Sequence, residues 1–105
     1  MAATLMAIFR RPEGGEDALA EFMQRYLEEH MPLIEQVPGL RSSVVERVAQ
    51  HYVGEDIVVV TRMEFDDRAA LDVGMASDEM RVAGRNLREI APGMLTLVAL
   101  DEPVS

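Results

Sequence analysis

The stretch Ile57-Val58-Val59-Val60-Thr61-Arg62-Met63-Glu64-Phe65 decides the fold of this chain. Its run of branched residues predicts a strand over 57–65, because branched side chains pack well on a pleated surface. Residues alternate between two faces over Leu40 to Gln50, which predicts another strand just before it. The loop Tyr52 to Asp56 separates the two strands and contains Gly54, so the centre of the chain is expected to form a β-hairpin.

The segments on the two sides of this hairpin each supply a helix and a strand. The resulting order, β-α-β-β-α-β, is that of ferredoxin-like folds. We therefore expect a single α+β domain over 1–105, with a four-stranded antiparallel sheet and both helices on one face. The expected elements are a strand over Thr4–Arg10, a helix over Glu16–Met31, a short turn over Arg68–Val73 after Asp66 and Asp67, a helix from Ser77 to Pro92, and a strand over Met94–Leu100.

The face of the sheet opposite the helices is also expected to be apolar. Three of the four strands carry apolar residues at neighbouring positions, whereas a solvated face would show polar alternation. An uncovered apolar sheet face on a small protein is typical of a protein–protein interface. We therefore predict a homodimer whose two sheets pack face to face through this open face. The neighbouring apolar pairs are Leu5 with Met6, Val58 with Val59, and Leu97 with Val98.

The composition argues against several classes of protein. Ten Lys and Arg against 19 Asp and Glu give a formal net charge of −9, which disfavours nucleic acid and anionic membrane surfaces as partners. The chain has no cysteine, which excludes disulfides and thiol catalysis. The apolar run from Leu5 to Phe9 precedes Arg10 and Arg11, the reverse of the order in a secretory signal. The protein is therefore expected to be cytoplasmic.

The first predicted helix carries a histidine on its apolar side, and Pro32 is expected to kink or restart that helix. Tyr26 and His30 are four residues apart, so their rings share one helix face. His30 is either a core histidine bonded to a backbone carbonyl or an acid–base group, a role that suits a ring titrating near neutral pH. The helix end favours the charged ring and burial favours the neutral one. The expected apolar side comprises Leu19, Phe22, Met23, Tyr26, Leu27, His30 and Ile34.

Other polar residues form weaker patterns. His51, at the end of the second strand, is either a solvated hairpin residue or a ligand-contacting residue at a pocket mouth. Neither histidine belongs to an H-E-x-x-H pattern, so no metal site is expected, and no dinucleotide-binding loop is present. Arg81, Arg85 and Arg88 lie on one side of the second helix, either as a solvated face or as cations that steer an anionic ligand.

Five short motifs, in order over nearly the whole chain, make it resemble the EthD family of dimeric α/β-barrel proteins. The resemblance implies a ferredoxin-like protomer whose sheet pairs with a second copy. It also implies a pocket between helix and sheet in which His30 is the favoured functional residue. The motifs are Arg10-Arg11-Pro12-Glu13-Gly14, Tyr26-x-x-x-His30-x-Pro32-Leu33, Pro38-Gly39-Leu40, Phe65-Asp66-Asp67 and Ala76-Ser77-Asp78-Glu79.

The activities that the resemblance implies lie in small-molecule metabolism. Relatives are linked to the breakdown of ethers and to cofactor-independent isomerase, dehydratase or cyclase chemistry. The chain has no tryptophan, which departs from the oxygenase relatives and argues against a cofactor-free oxygenase or a haem site.

These observations together predict a homodimer that binds a small, largely apolar organic molecule without a cofactor. As a lyase or isomerase it would use His30 as general acid or base, with Tyr26 and His51 contacting the substrate. The alternatives are a non-catalytic accessory or binding protein of a degradative pathway, and a dimeric structural module with a filled core.

Overall fold

A computed structural model describes residues 2–105, which form one four-stranded antiparallel sheet. The sheet order is β2-β3-β1-β4, so β1 and the branched stretch in β3 lie at its centre. The predicted α+β, ferredoxin-like order of elements is confirmed. The strands are β1 (Ala3–Arg10), β2 (Leu40–Arg47), β3 (Ile57–Phe65) and β4 (Leu95–Ala99).

The second strand is shorter than predicted. It ends at Arg47 and not at Gln50, although the Val48 amide still donates to the Val58 carbonyl at 2.9 Å. A register shift between Leu40 and Ser42 brings Leu40 opposite Phe65, next to the core.

Two of the helices begin at side-chain caps. Asp67 and Ser77 begin α3 and α4, because their side-chain oxygens accept hydrogen bonds from the Ala70 and Met80 amides. The short turn predicted after Asp67 is an eight-residue helix. None of the helices in residues 2–105 is long and apolar enough to cross a lipid bilayer. The helices are α1 (Gly15–Arg25), α2 (Met31–Ile34), α3 (Arg68–Met75) and α4 (Asp78–Ile90), with a π-helical turn over Tyr26–His30.

The core lies between the helices and one face of the sheet. Burial alternates strictly along β1, and the same alternation in β3 places Val59, Thr61, Met63 and Phe65 in the core. The opposite face, called the open face below, is less buried and is formed at its centre by Met6, Ile8, Val60 and Val98, which pair across the strands.

The helix that carries His30 differs from its predicted apolar side at one position. Leu27, predicted to face the core, is 48% exposed, and Met31 is buried instead. The π-helical turn is the reason, because a π turn spans one residue more than an α turn and shifts the buried face. The restart predicted at Pro32 agrees with the structure, because α2 begins at Met31 and Pro32 lies in its first turn, where no amide donor is required.

Candidate functional site

The π-helical turn sets the position of His30. The Met31 amide donates to the carbonyl of Tyr26, five residues back, and this wider hydrogen bond replaces the α-helical one. In an α-helix, residues four apart are offset by about 40° around the axis. The wider turn reduces that offset, and the rings of Tyr26 and His30 stack with centroids 5.2 Å apart and planes 19° from parallel.

This stacked pair continues an aromatic cluster in the core. The Tyr26 ring lies 5.0 Å from Phe9 in an edge-on arrangement and 5.2 Å from Phe22 in a stacked one. Aromatic pairs at these separations hold each other's orientation. The packing of these rings therefore restricts the orientation of the His30 ring.

Hydrogen bonds from α4 determine the tautomer of His30. Its Nδ1 lies 3.1 Å from Oδ1 of Asn86, and Nδ2 of Asn86 donates to a carboxylate oxygen of Glu29 at 3.3 Å. Because a carboxylate only accepts, the Asn86 amide must present its oxygen to the histidine. Nδ1 of His30 therefore carries the proton, and Nε2 carries the lone pair. Arg25 holds Glu29 in turn, through two hydrogen bonds of 2.8 and 3.0 Å.

Burial keeps the His30 ring neutral. The side chain is only 3% exposed, and desolvation lowers the pKa of His30 below its ordinary value of 6.5. The hydrogen bond to Asn86 and a contact with the Ala83 backbone oppose this lowering of the pKa without reversing it. The balance left open by the sequence is thus resolved in favour of the neutral ring, which can accept a proton.

Tyr26 is a neutral phenol with its hydroxyl group already bonded. Its hydroxyl lies 2.6 Å from Oγ1 of Thr61, in the buried face of β3. Burial raises the pKa of Tyr26 to about 12, and the hydrogen bond to Thr61 opposes this shift only in part. Tyr26 therefore stays protonated near neutral pH, and its contact with His30 is through the stacked rings.

A cavity of about 330 Å³ lies beside these two rings. It opens between α4 and the part of the sheet formed by β1 and β4. Its size is at the small end of the range for small-molecule sites. Apart from His30, Tyr26 and Arg88, its lining side chains are apolar: Leu5, Ala7, Ile34, Met63, Met75, Met80, Leu87, Ala91, Pro92, Leu95 and Leu97, with Gly84 and Gly93.

The other histidine lies elsewhere. His51 is in the exposed hairpin between β2 and β3, and its Nε2 lies 2.8 Å from the carbonyl of Gly54. The structure brings Tyr26 and His30 together but does not bring His51 to their cavity within the protomer. Within residues 2–105, no group of three His, Cys, Asp or Glu side chains is arranged to hold a metal ion.

Three residues of the site were not singled out in the sequence: Glu29, Thr61 and Asn86. Of the three arginines noted on the second predicted helix, Arg88 alone is among the described residues that line the cavity. Thr61 has a detectable signal, because it is a polar residue in phase with Val59 and Met63 in a strongly β-forming stretch. Asn86 lies next to the buried Leu87 on α4, but its contact with His30 spans 56 positions. Such a contact depends on how the two helices pack together, which one sequence does not specify.

Comparison with models of known protein families found no match, and comparison with curated proteins found none. Solved structures do match. A DABB family protein with a ferredoxin-like fold from Mesorhizobium loti is 13% identical over 100% of both chains, with a TM-score of 0.74. A dimeric protein of unknown function with a ferredoxin-like fold from Bacteroides fragilis is 18% identical over 95% of both chains, with a TM-score of 0.67. These two show the fold alone.

A third structure is nearer in sequence. It is an ethyl tert-butyl ether D (EthD) family protein from Bacillus halodurans, and it superposes with a TM-score of 0.83. The two sequences are 30% identical, and the match covers 98% of this chain and 100% of the other. The resemblance predicted from the five motifs is therefore confirmed, and the chain belongs to the EthD family.

Proposed function

We propose that this protein binds a small, largely apolar organic molecule in the cavity and catalyses a cofactor-independent proton transfer of the lyase or isomerase type. One observation carries the proposal. A buried, neutral histidine with its Nδ1 proton held by Asn86 lines an otherwise mainly apolar cavity. Perturbed titratable groups in a cavity are typical of functional sites.

The proposed chemistry is abstraction and return of a proton beside a carbonyl group. Nε2 of His30 takes the proton from carbon, the electron pair of the broken C–H bond forms a C=C bond, and the π pair of the carbonyl group moves onto its oxygen. In an isomerisation His30 returns the proton to another atom of the same molecule. In an elimination the enolate re-forms the carbonyl group and expels a group from the neighbouring carbon with its bonding pair, and His30 passes the proton to that group. Asn86 and Glu29 support the charged imidazolium during this step, because both present oxygen atoms along the hydrogen-bond chain from Nδ1.

The surroundings of His30 favour such a step in two ways. The burial of the ring against a mainly apolar lining favours its neutral form until a substrate proton is transferred. Tyr26 stacks on the ring while its own hydroxyl is held by Thr61, which fixes the imidazole plane. Tyr26 is thus a positioning residue for His30 in this proposal, and His51 is assigned no role in the cavity.

The proposal includes a homodimer formed through the open face. Met6, Ile8 and Val60 are apolar and lie at the centre of this face, where no helix of the described chain covers them. In a two-fold symmetric dimer the same surface of each copy covers that of the other, so the open face of a second copy can cover these residues. The ferredoxin-like protein from Bacteroides fragilis is described as dimeric, which supports this arrangement.

Deuterium exchange tests the proposed proton transfer. The protein is incubated in D₂O with phenylacetone or phenylpyruvate, and loss of the acidic C–H signal is followed by NMR. We expect exchange by the wild type and a loss of about a hundredfold or more in His30→Gln. His51→Gln is the matched control, because it removes the exposed histidine, and it is expected to exchange at the wild-type rate. Equal exchange in the wild type and His30→Gln would contradict the proposal.

The alternative function is that of a non-catalytic binding protein. It is favoured by one observation, that the Tyr26 phenol is already bonded and has a pKa of about 12, which leaves His30 without a second acid–base partner of suitable pKa among the described lining residues. Probe binding without exchange in the wild type would support this alternative. A structural module with a filled core is disfavoured by the cavity beside His30.

A further inference from the structure

The cavity wall contains one formally charged side chain, that of Arg88. Arg88 lies on α4 one turn after Gly84, which also lines the cavity. A Cβ atom placed on Gly84 would lie 3.7 Å from Nη1 of Arg88. The guanidinium group therefore folds back along α4 over Gly84, at the cavity wall, while the side chain stays accessible to solvent.

Arg88 has no carboxylate at ion-pair distance among the described residues. Six of the ten arginines form ion pairs with nearby carboxylates, but within residues 2–105 Arg88 forms none. The chain has nearly twice as many acidic as basic residues, so most of its arginines have a carboxylate partner nearby and Arg88 differs from them. The paired arginines are Arg10, Arg11, Arg25, Arg41, Arg68 and Arg81.

A free guanidinium at the wall of an apolar cavity has a specific chemical consequence. Its fork of N–H donors matches the two oxygens of a carboxylate, and such charge-assisted pairs are stronger than neutral hydrogen bonds. Because Arg88 is exposed at the cavity wall, water screens part of this attraction, and the preference for a carboxylate is expected to be moderate. A neutral apolar ligand would not form this charge-assisted pair with Arg88.

We infer that the cavity binds a small apolar organic acid, with its carboxylate at Arg88 and its apolar body reaching towards His30. This inference rests on the proposed function and names its substrate class. Arg88 is in this view a specificity-determining residue, and His30 acts at the other, buried part of the same molecule. The apolar body contacts the flexible side chains of Met63, Met75 and Met80, which adapt to ligand shape.

The test compares two probes of nearly equal shape, 4-phenylbutyrate and its neutral amide 4-phenylbutyramide, by isothermal titration calorimetry. The wild type is expected to bind the acid about tenfold more tightly than the amide. Arg88→Gln is expected to bind the two probes equally. The matched control is Arg85→Gln, because Arg85 is an exposed arginine on the same helix that does not line the cavity. It changes the net charge equally and is expected to keep the wild-type preference.

Three results would overturn the inference. They are equal binding of the two probes by the wild type, a preference for the acid that survives in Arg88→Gln, and an equal loss of preference in Arg85→Gln. The last result would assign the effect to the overall charge of the protein. Circular dichroism checks that both variants fold.

The result is separable from that of the exchange experiment. A preference for the acid that depends on Arg88, without deuterium exchange in the wild type, would leave this inference standing and contradict catalysis by His30. Exchange that depends on His30, with equal binding of the two probes, would support catalysis by His30 and contradict the inference about Arg88.

Discussion

The helix-covered face of the sheet and the open face are built from the same alternation of residues, but only one is covered within a protomer. On the covered face, Phe9, Val59 and Phe65 are at most 1% exposed. On the open face, Val44 is 50% exposed although it is also a branched apolar residue. Apolar strand residues in this chain therefore lie in two environments, an internal core and an open face that a second copy would cover in the proposed dimer.

The strongest way to break this comparison is to remove a large side chain from the covered face. We expect Phe65→Ala to lower the free energy of unfolding by about 3–5 kcal/mol, because it leaves a cavity against α3. Val44→Ala, on the open face, is expected to cost less than about 1 kcal/mol. Urea denaturation followed by circular dichroism measures both changes, and equal losses would remove the distinction between the faces.

The next largest effect is expected on the open face itself. Val60→Arg places a bulky charged side chain at the centre of the open face, and in the proposed face-to-face dimer the like charges of the two copies repel each other. We expect the dimer dissociation constant to rise about a hundredfold, which is about 2.7 kcal/mol. Sedimentation velocity at micromolar concentration measures it. Val82→Arg on α4, also at an exposed apolar position, is the control and is expected to sediment as the wild type does.

A smaller effect sharpens the comparison by testing a polar group on the covered face. Thr61→Val leaves the buried Tyr26 hydroxyl without its partner, which is expected to cost about 1–3 kcal/mol of unfolding free energy. The double variant with Tyr26→Phe is expected to recover most of this loss, because both polar groups are then absent. Thr96→Val, at an exposed position of β4, is expected to change little. Failure of the double variant to recover stability would argue against the hydrogen bond.

The smallest expected effect is a pH dependence of stability. It arises from His30, which is buried on the helix-covered side of the sheet. The pKa of His30 is lowered in the folded protein, so as the pH falls through about 6.5 the unfolded chain takes up a proton first. Stability is therefore lost on acidification and levels off below the folded pKa of His30. His30→Gln is expected to flatten this loss, and Asn86→Ala to steepen it, since the bond to Asn86 opposes the lowering of the pKa. Urea midpoints between about pH 7 and pH 5 test both expectations.

The sequence was sufficient for the sheet and insufficient for the site. An apolar run predicted β1 and branched residues predicted β3 closely, because these signals are local to each strand. The predicted buried face of the helix was wrong at Leu27, because the spacing of apolar residues does not indicate a π-helical turn.

The same limit applies to the groups around His30. Its burial followed from periodicity, and the structure agrees. Its contact with Asn86, and the position of Arg88 at the cavity wall, depend on how α4 crosses the π turn. That crossing is a tertiary property, and no spacing within either segment encodes it.

The π-helical turn also has a consequence for how this chain is aligned with others. Because the turn holds one residue more than an α turn, it is equivalent to a one-residue insertion in a continuous helix. A related chain whose helix is α-helical throughout would require a one-residue gap between the positions of Tyr26 and His30. An alignment without that gap would match His30 to a residue about a quarter of a turn away, and the relative would falsely appear to lack the histidine.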